Sequence, residues 1–186
     1  MIKHETMRLL LTTLLFSLIC GRLSAQQAAK KTGWPKPDDV KALLFYIQRD
    51  PDTNTVCYAA NIREDGSLDP DHPIDVFWMN YATDGKRSGL TALQRSFAYG
   101  VTLRHFKKDS VDFRIVSVPG RRLVLRADSL GKYWVQTAIN GHPCRLARVY
   151  LNITGGTGLS AKLSYVEIQG YGLRGGLIET ERIKVK

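Results

Sequence analysis

The stretch YVEIQGYGLRGGLIETERIKVK, residues 165–186, decides between a nucleotide-binding fold and a sheet of consecutive strands. An alternating apolar run ends there in Gly170-x-Gly172-x-x-Gly175, which is the glycine spacing of a dinucleotide-binding turn. Such a turn must lead into a helix and a second parallel strand, with an acidic residue about 20 positions further on. Because 11 residues follow Gly175, we expect no such unit here, and we interpret the glycines as turn residues.

Strand-like runs recur at short intervals from residue 43 onward. They are rich in aromatic and β-branched residues, and turn sequences with Gly, Pro, Asn and Asp separate them. Helical pattern is too scarce for parallel crossovers, so the sequence predicts an all-β fold, an antiparallel β-sandwich or barrel of about ten strands with one short helix. Asn140-Gly141 is the strongest hairpin signal, since both residues suit the mirror-image turn that matches strand twist.

The one helical pattern is LTALQRSFAYG. Thr91 and Gln94 have the spacing of a capping box, in which the two side chains satisfy free backbone N–H groups at the helix start. Leu93 and Phe97 are four positions apart and share a helix face. Gly100 suits the left-handed residue that ends many helices.

Residues 1–25 have the layout of a secretory signal, with basic residues, an apolar run shorter than a membrane span, and a small-residue end. We predict cleavage after Ala25 and an exported protein, in the periplasm or outside the cell. Residues 26–38 carry lysines, two prolines and a glycine without an apolar period, which is typical of a linker. Residues 39–186 are then a single β-rich domain, in which no apolar run is long enough to span a membrane.

Cys57 and Cys144 are the two cysteines that remain after the predicted cleavage. A disulfide between them would persist outside the cytoplasm. Both residues fall on the less apolar parity of their predicted strands, where they could share a face. The alternative is two buried thiols, and the sequence leaves both possibilities open.

Catalytic and metal-binding patterns are scarce in this sequence. There is no G-x-S-x-G elbow and the histidines form no zinc-ligand set, so we predict neither a metal site nor a cofactor. Asp75 stands out because it opens a strongly apolar strand, where a carboxylate must be paired or solvated. A structural partner such as Arg95 is one interpretation. A carboxylate-based hydrolase that uses Asp75, Glu167 and His105 is the catalytic alternative.

The distribution of aromatic residues favours a secreted, non-enzymatic β-domain. It would bind a small or extended ligand, such as a lipid or glycan, on an aromatic-lined pocket or sheet face. Core packing is the alternative for each aromatic side chain. The predicted ligand-binding residues, placed around the helix, are Tyr46, Arg49, Asp75, Trp78, Tyr81, Gln94, Arg95 and Tyr99.

A basic surplus supports a second hypothesis, an envelope module that binds partners through a basic surface. The net charge is +10 and the pI is about 9.7. Export argues against nucleic acid, so the partner would be an anionic envelope surface or an acidic protein. A solvated face without a ligand is the alternative. The predicted anion-binding residues, on the more polar parity of neighbouring strands, are Arg104, Arg114, Arg122 and Arg126.

Several phrases together resemble one family. LLFYIQR, NTVCYAANI, PIDVFWMNYA, LQRSFAYG and SYVEIQGYGL are similar to domain-of-unknown-function family 4833, a group of secreted bacterial proteins, over about residues 43–183. The resemblance implies an exported β-rich domain. It brings no catalytic residues to this sequence.

Overall fold

The computed structural model describes residues 34–107, 110–156, 160–174 and 176–185. The predicted signal peptide and the first part of the predicted linker lie outside the described residues. The strands in chain order are β1 (Leu43–Arg49), β2 (Thr55–Ala60), β3 (Ile74–Met79), β4 (Arg87–Gly89), β5 (Val101–Lys107), β6 (Ser110–Ile115), β7 (Leu123–Ala127), β8 (Tyr133–Ile139), β9 (His142–Gly155), β10 (Lys162–Gly172) and β11 (Ile178–Lys184). Between β4 and β5, helix α1 (Ala92–Gln94) continues as a π-helical turn (Arg95–Tyr99).

The predicted all-β class with one short helix is confirmed. The strands form one sheet in the order β4-β3-β2-β1-β9-β8-β7-β6-β5, with β10 beside β9 and β11 beside β10, and the sheet curls into a half-barrel. The prediction of a purely antiparallel fold is wrong. Strand β1 runs parallel to β9, with Tyr46 beside Arg148 and Arg49 beside Leu151, so the sheet is mixed.

Strand β9 joins the two halves of the sheet. One edge of β9 pairs with β10 from Cys144 to Gly155. The other edge is divided, because β8 pairs with residues 142–145 and β1 pairs with residues 148–151. A strand has two edges, so β8 and β1 follow one another along this second edge. Two wings, β1–β4 and β5–β8, therefore start from β9.

The inner faces of the two wings share the main hydrophobic core. Phe45 and Phe113, one from each wing, are almost fully inaccessible to solvent. The rings of Phe45 and Tyr58 stack with their centroids 4.3 Å apart. Alternate residues of β2, namely Val56, Tyr58 and Ala60, all lie in this core.

A second, smaller apolar cluster lies on the outer face of β1–β3. The chain segment before β1 packs on it, with Pro37 fully buried. Pro35 O accepts a hydrogen bond from Gln48 Nε2 at 2.8 Å. Pro35 and Pro37 of the predicted linker therefore contact the sheet, while Lys36 and Asp38 are exposed. The cluster comprises Cys57, Ala59, Phe77 and Met79, with Val40, Leu43, Tyr46 and Tyr81 against them.

The helix begins as predicted and ends differently. Thr91 Oγ1 accepts from the Gln94 backbone N–H at 3.2 Å, and Gln94 Oε1 accepts from the Thr91 N–H at 3.0 Å, which confirms the capping box. Gly100 has φ −61° and ψ 165°, so the backbone is extended there and the prediction of a left-handed residue at the helix end is wrong. Glycine fits this position because a Cβ would lie 2.0 Å from Arg95 O. Leu93 and Phe97 are 54% and 65% exposed.

The predictions for two glycine-containing stretches differ in outcome. Asn140 and Gly141 have φ of 50° and 80° between β8 and β9, as the predicted hairpin requires. The interpretation of Gly170 as a turn residue is wrong, because it lies within β10 opposite Leu146. A Cβ at Gly170 would come within 2.5 Å of Arg145 O, so close strand approach explains the glycine. No helix in the described ranges is long and apolar enough to cross a membrane.

Candidate functional site

Four neighbouring strands, β1, β9, β10 and β11, carry polar and aromatic side chains on the face away from the main core. We call this surface the polar face. Residues paired in register lie side by side, so its side chains form rows across the strands. The rows are Tyr46, Arg148, Gln169 and Thr180; Gln48, Tyr150, Glu167 and Arg182; and Asn152, Tyr165 and Lys184, with Asp50 beside Asn152.

Arg148 lies at the centre of the polar face. Its Nε donates to Gln48 Oε1 at 2.7 Å, and its Nη1 donates to Gln169 Oε1 at 3.4 Å. The same Nη1 lies 3.9 Å from Glu167 Oε1. The guanidinium carbon lies 5.0 Å from the centroid of the Tyr150 ring. Contacts from β1, β9 and β10 therefore fix the orientation of this guanidinium.

Glu167 connects the centre of the polar face to β11. Its Oε2 accepts from Arg182 Nη2 at 2.7 Å, and its Oε1 accepts from Gln169 Nε2 at 3.1 Å. The hydrogen bond to Glu167 raises the pKa of Arg182. The Arg182 guanidinium carbon lies 4.4 Å from the Tyr165 ring centroid. One carboxylate thus serves two arginines, and the charges on this part of the face are paired.

The third row begins beyond the end of β1. Tyr150 OH and Asn152 Nδ2 both donate to Asp50 Oδ2, the latter at 2.8 Å. Burial, and then the bond to Asp50, raises the pKa of Tyr150 to about 12. Burial also raises the pKa of Tyr46, against the opposing effect of Arg148. Both phenols therefore remain protonated donors at neutral pH.

A pocket of 360 Å³ adjoins the polar face where β1 starts beside β9. Tyr46 belongs both to the first row and to the pocket lining. Tyr171, which also lines the pocket, is 47% exposed. The volume falls within the range of small-ligand pockets, about 300–1,000 Å³. The lining residues are Leu43, Leu44, Phe45, Tyr46, Arg145, Leu146, Ala147, Tyr171 and Gly176.

A β-bulge in β9 creates the polar face. Leu146 pairs with Gly170 and Arg148 pairs with Gln169, so Ala147 is the extra residue. Such an insertion shifts the alternation of side chains by one position. Cys144 and Leu146 consequently lie in the core, while Arg148 lies on the outer face. Strict alternation predicts that Cys144 and Arg148 share the less apolar face, which is right for Arg148 and wrong for Cys144. Polar or aromatic residues alternate with aliphatic ones in RVYLN (148–152) and YVEIQ (165–169), and this pattern indicates that each strand has one polar face.

The structure brings together four of the predicted ligand-binding residues, near the helix. Arg49 Nη1 donates to Tyr99 OH at 3.2 Å, and Trp78 Nε1 donates to Gln94 Oε1 at 3.2 Å. The Trp78 and Tyr99 rings meet edge to face at 5.3 Å. Trp78 is 7% exposed and Tyr99 is 8% exposed. This Trp78 cluster, comprising Arg49, Trp78, Gln94 and Tyr99, packs the π-helical turn onto β1 and β3.

The other four predicted residues are dispersed. Tyr46 belongs to the polar face, and Tyr81 packs on the second apolar cluster. Asp75 forms an ion pair with Arg87, which corrects the suggested partner Arg95, because the adjacent strand β4 places Arg87 within reach. Arg95 is exposed on the π-helical turn. The structure therefore does not assemble the predicted set as one site.

The predicted basic stripe is partly neutralised. Arg114 Nη1 and Arg122 Nε lie 2.8 Å and 2.7 Å from the carboxylate of Asp112. Burial acts to raise the pKa of Asp112, but the hydrogen bonds from Arg122 and Arg114 outweigh it and lower the pKa. Arg104 and Arg126 are exposed, on β5 and β7. Two of the four predicted arginines thus share one acidic partner.

The two described cysteines are free and buried. Cys57 lies in the second apolar cluster and Cys144 in the main core. The two thiols are on opposite faces of the sheet, so the structure has the two buried thiols and no bridge between them. Burial raises the pKa of Cys57 to about 12, and burial also raises the pKa of Cys144.

A larger groove of 640 Å³ lies between the β7–β8 hairpin and β11. Both oxygens of Glu181 accept from Arg121 Nη2 at 3.2 Å, and Arg121 Nη1 donates to Ala138 O at 2.6 Å. The basic groups of the groove therefore already have partners. The lining includes Val118, Arg121, Arg122, Val124, Gln136, Thr137, Ala138, Pro143, Glu181 and Ile183.

The predicted hydrolase residues are far apart. Asp75 lies on β3, Glu167 on β10 and His105 on β5. Strands β2, β1 and β9 separate β3 from β10, which corresponds to roughly 19 Å at the usual strand spacing. Within the described part of the chain, no group of three or more His, Cys, Asp and Glu side chains could hold a metal ion.

The fold and the site define a mixed β half-barrel whose outer face carries a hydrogen-bonded array of arginine, amide, carboxylate and tyrosine groups. The sequence matches the family described as Domain of unknown function (DUF4833) over residues 45–182. The chain belongs to this family, and the matched region includes the centre of the polar face. No curated protein and no solved structure matches the chain.

Proposed function

We propose that this protein is a non-enzymatic ligand-binding domain whose polar face binds a glycan. The observation that carries the proposal is the first row, Tyr46, Arg148 and Gln169, which runs from the 360 Å³ pocket across the sheet. The row combines an aromatic ring, a guanidinium and an amide on one surface. A concave pocket with a few fixed polar groups is the usual form of a ligand site.

Paired charges on the polar face favour a neutral, polyhydroxylated ligand. Glu167 is within ion-pair distance of Arg148 and Arg182, and Asp50 accepts bonds from Tyr150 and Asn152. A surface with paired charges attracts anions weakly. It still offers many donors and acceptors, and the planar guanidinium and amide groups match pairs of neighbouring sugar hydroxyls.

Tyrosine rings complete the surface. Tyr46 and Tyr171 line the pocket, and Tyr165 lies in the third row. A tyrosine supplies an apolar ring, on which the C–H face of a sugar packs, and a hydroxyl at little cost in conformational entropy. The pocket would hold one sugar unit. Along β10 and β11, successive rows two residues apart would contact an extended chain at intervals of about 6.5 Å.

The polar face supports a glycan better than the 640 Å³ groove supports a lipid. The groove's arginines, Arg121 and Arg122, are bonded to Glu181 and Asp112. The same pairing weakens the alternative of a basic partner-binding surface, since Arg114 also bonds to Asp112. Export, which residues 1–25 lead us to expect, would give the domain access to envelope glycans.

An oligosaccharide array, followed by titration calorimetry with the oligosaccharide bound most tightly, tests the proposal. Arg182→Ala should weaken binding by about tenfold or more, and Gln169→Ala, which removes neutral hydrogen bonds worth about 0.5–1.5 kcal/mol each, by about two- to tenfold. A hydrogen bond that involves a charged group is worth about 1.5–3 kcal/mol, and 1.4 kcal/mol corresponds to tenfold. Thermal unfolding of each variant would verify that the fold is retained.

Matched controls are available on the other wing. Arg126→Ala removes an exposed arginine from β7, and Gln136→Ala removes a glutamine that lines the 640 Å³ groove. Both variants should bind like the wild type. Loss of binding in Gln136→Ala with normal binding in Gln169→Ala would assign the ligand to the groove. Absence of binding to every oligosaccharide would refute the proposal.

A further inference from the structure

The end of the β10–β11 hairpin carries a cluster of exposed apolar side chains, which we call the hairpin tip. Leu173, Leu177 and Ile178 are 46%, 75% and 69% exposed. Tyr171, 47% exposed, is the cross-strand partner of Ile178. The Gly172 N–H donates to Leu177 O at 2.9 Å and closes the turn. Single exposed apolar residues are ordinary, but four large ones at one turn indicate a contact surface.

Basic groups flank the hairpin tip. Arg174 lies in the turn, and Arg145 is the partner of Tyr171 on β9. Neither arginine forms an ion pair with another residue of the described ranges. The nearest acidic residue along β11 is Glu179, whose carboxylate lies 3.7 Å from His142 Nδ1. The tip therefore combines exposed apolar side chains with uncompensated positive charge.

We propose that the hairpin tip inserts into the headgroup region of a membrane that contains anionic lipids. Apolar side chains at the tip would leave water on insertion, which favours the membrane-bound state. Each nearby arginine would be attracted to the negative surface potential of an anionic leaflet. A lipid surface fits this combination, since an acidic protein would need a complementary apolar pocket as well. The net charge acts in the same direction, because it stays positive after the predicted cleavage, with 24 Lys and Arg against 16 Asp and Glu in residues 26–186.

Insertion of the tip would also orient the polar face. Tyr171 and Gly176 line the 360 Å³ pocket, so the pocket lies beside the tip. A domain held by its hairpin tip would present this pocket at the membrane surface. The proposal does not depend on the glycan, because the residues that would enter the lipid, Leu173, Leu177 and Ile178, are outside the rows of the polar face.

Co-sedimentation of the mature protein, residues 26–186, with vesicles tests the proposal. Vesicles of phosphatidylglycerol and phosphatidylethanolamine should bind the protein, and vesicles of phosphatidylcholine alone should bind it more weakly. Leu177→Ser with Ile178→Ser should reduce binding to the anionic vesicles by at least about tenfold. The matched control is Leu93→Ser with Phe97→Ser, which removes two comparably exposed apolar side chains from the helix and should leave binding within about twofold of the wild type.

Three outcomes would overturn membrane insertion. The first is a wild-type protein that does not bind anionic vesicles. The second is an equal loss of binding in both double variants. The third is a protein that self-associates in sedimentation equilibrium and becomes monomeric in the Leu177→Ser, Ile178→Ser variant, because the tip would then contact a second copy. Since the substituted side chains are exposed, thermal unfolding should be unchanged in both variants.

Discussion

Gln48 shows how the polar face depends on single side chains. It is 2% exposed, and its amide donates to Pro35 O and accepts from Arg148 Nε. Both ends of the amide are therefore used, one by the segment before β1 and one by β9. A buried amide that lost either partner would cost about 1–3 kcal/mol. The orientation of Arg148 is thus coupled to the packing of the chain segment before β1.

Cys57 provides a prediction at the residue scale. The thiolate is the nucleophile, and a buried thiol with a pKa of about 12 has almost none of it near pH 8. We expect iodoacetamide to leave Cys57 unmodified in the native protein and to modify it after unfolding in urea. Peptide mass spectrometry would measure both.

The introduced thiol of Leu130→Cys is a suitable reference for this experiment, because Leu130 is 90% exposed. It should react in the native protein while Cys57 does not. Native modification of Cys57 at a similar rate would contradict its burial. A disulfide-linked pair of peptides containing Cys57 and Cys144 would contradict the free thiols.

Single residues could be interpreted from the sequence where their role is local. The bonds between Thr91 and Gln94 span three residues, so their spacing was sufficient to predict them. Asp75 was correctly singled out as a carboxylate that needs a partner, but Arg87 is on another strand, and strand pairing is not encoded in local spacing. Arg148 could not be singled out from local spacing, because its partners Gln48 and Gln169 lie on other strands.

At the scale of elements, the π-helical turn and β5 meet at Gly100. The Val116 N–H donates to Gly100 O at 2.9 Å, which ties this junction to the end of β6. Tyr58 OH donates to Tyr99 O at 2.7 Å from inside the core. Hydrogen bonds on both sides of the junction therefore hold Tyr99 and Gly100 in place, and leave little freedom for the chain to relax.

Gly100→Ala should destabilise the protein by about 2 kcal/mol or more, since overpacking typically costs 1–3 kcal/mol and the clashing atom belongs to the backbone. The added Cβ would lie 2.0 Å from Arg95 O. Urea denaturation would measure the free energy of unfolding. Gly89→Ala is the control, because nothing lies within 4 Å of a Cβ at that position. Equal stability of the two variants would contradict the described junction.

Elements formed by neighbouring residues were predictable, and the long-range pairing was not. The Asn140-Gly141 hairpin follows from two adjacent residues that take positive φ. The parallel pairing of β1 with β9 joins residues 100 positions apart, such as Gln48 and Arg148. Sequence patterns specify which face of a strand is buried, but they do not specify which distant strand lies beside it.

For the whole molecule, the divided edge of β9 is the decisive feature. Strands β1 and β8, the first strands of the two wings, both pair with this edge. The opposite edge of β9 pairs with β10, which in turn pairs with β11. The polar face exists only through this arrangement, since its rows draw on all four strands. The sequence instead predicts a ligand site around the helix, where the side chains of Trp78 and Tyr99 are almost fully buried. Of the predicted ligand-binding residues, Tyr46 lies in the proposed site.

Glycan binding at the polar face is most directly tested by a nuclear magnetic resonance titration of the isotope-labelled protein with the oligosaccharide selected on the array. We predict that shift changes will be concentrated at the side-chain N–H groups of Gln169 and Arg148 and at the backbone amide of Tyr171. The Trp78 indole N–H, bonded to Gln94 in the packed Trp78 cluster, should not shift. Changes concentrated instead at Val124, Gln136 and Ala138 in the groove, or at the Trp78 indole, would contradict the proposed site.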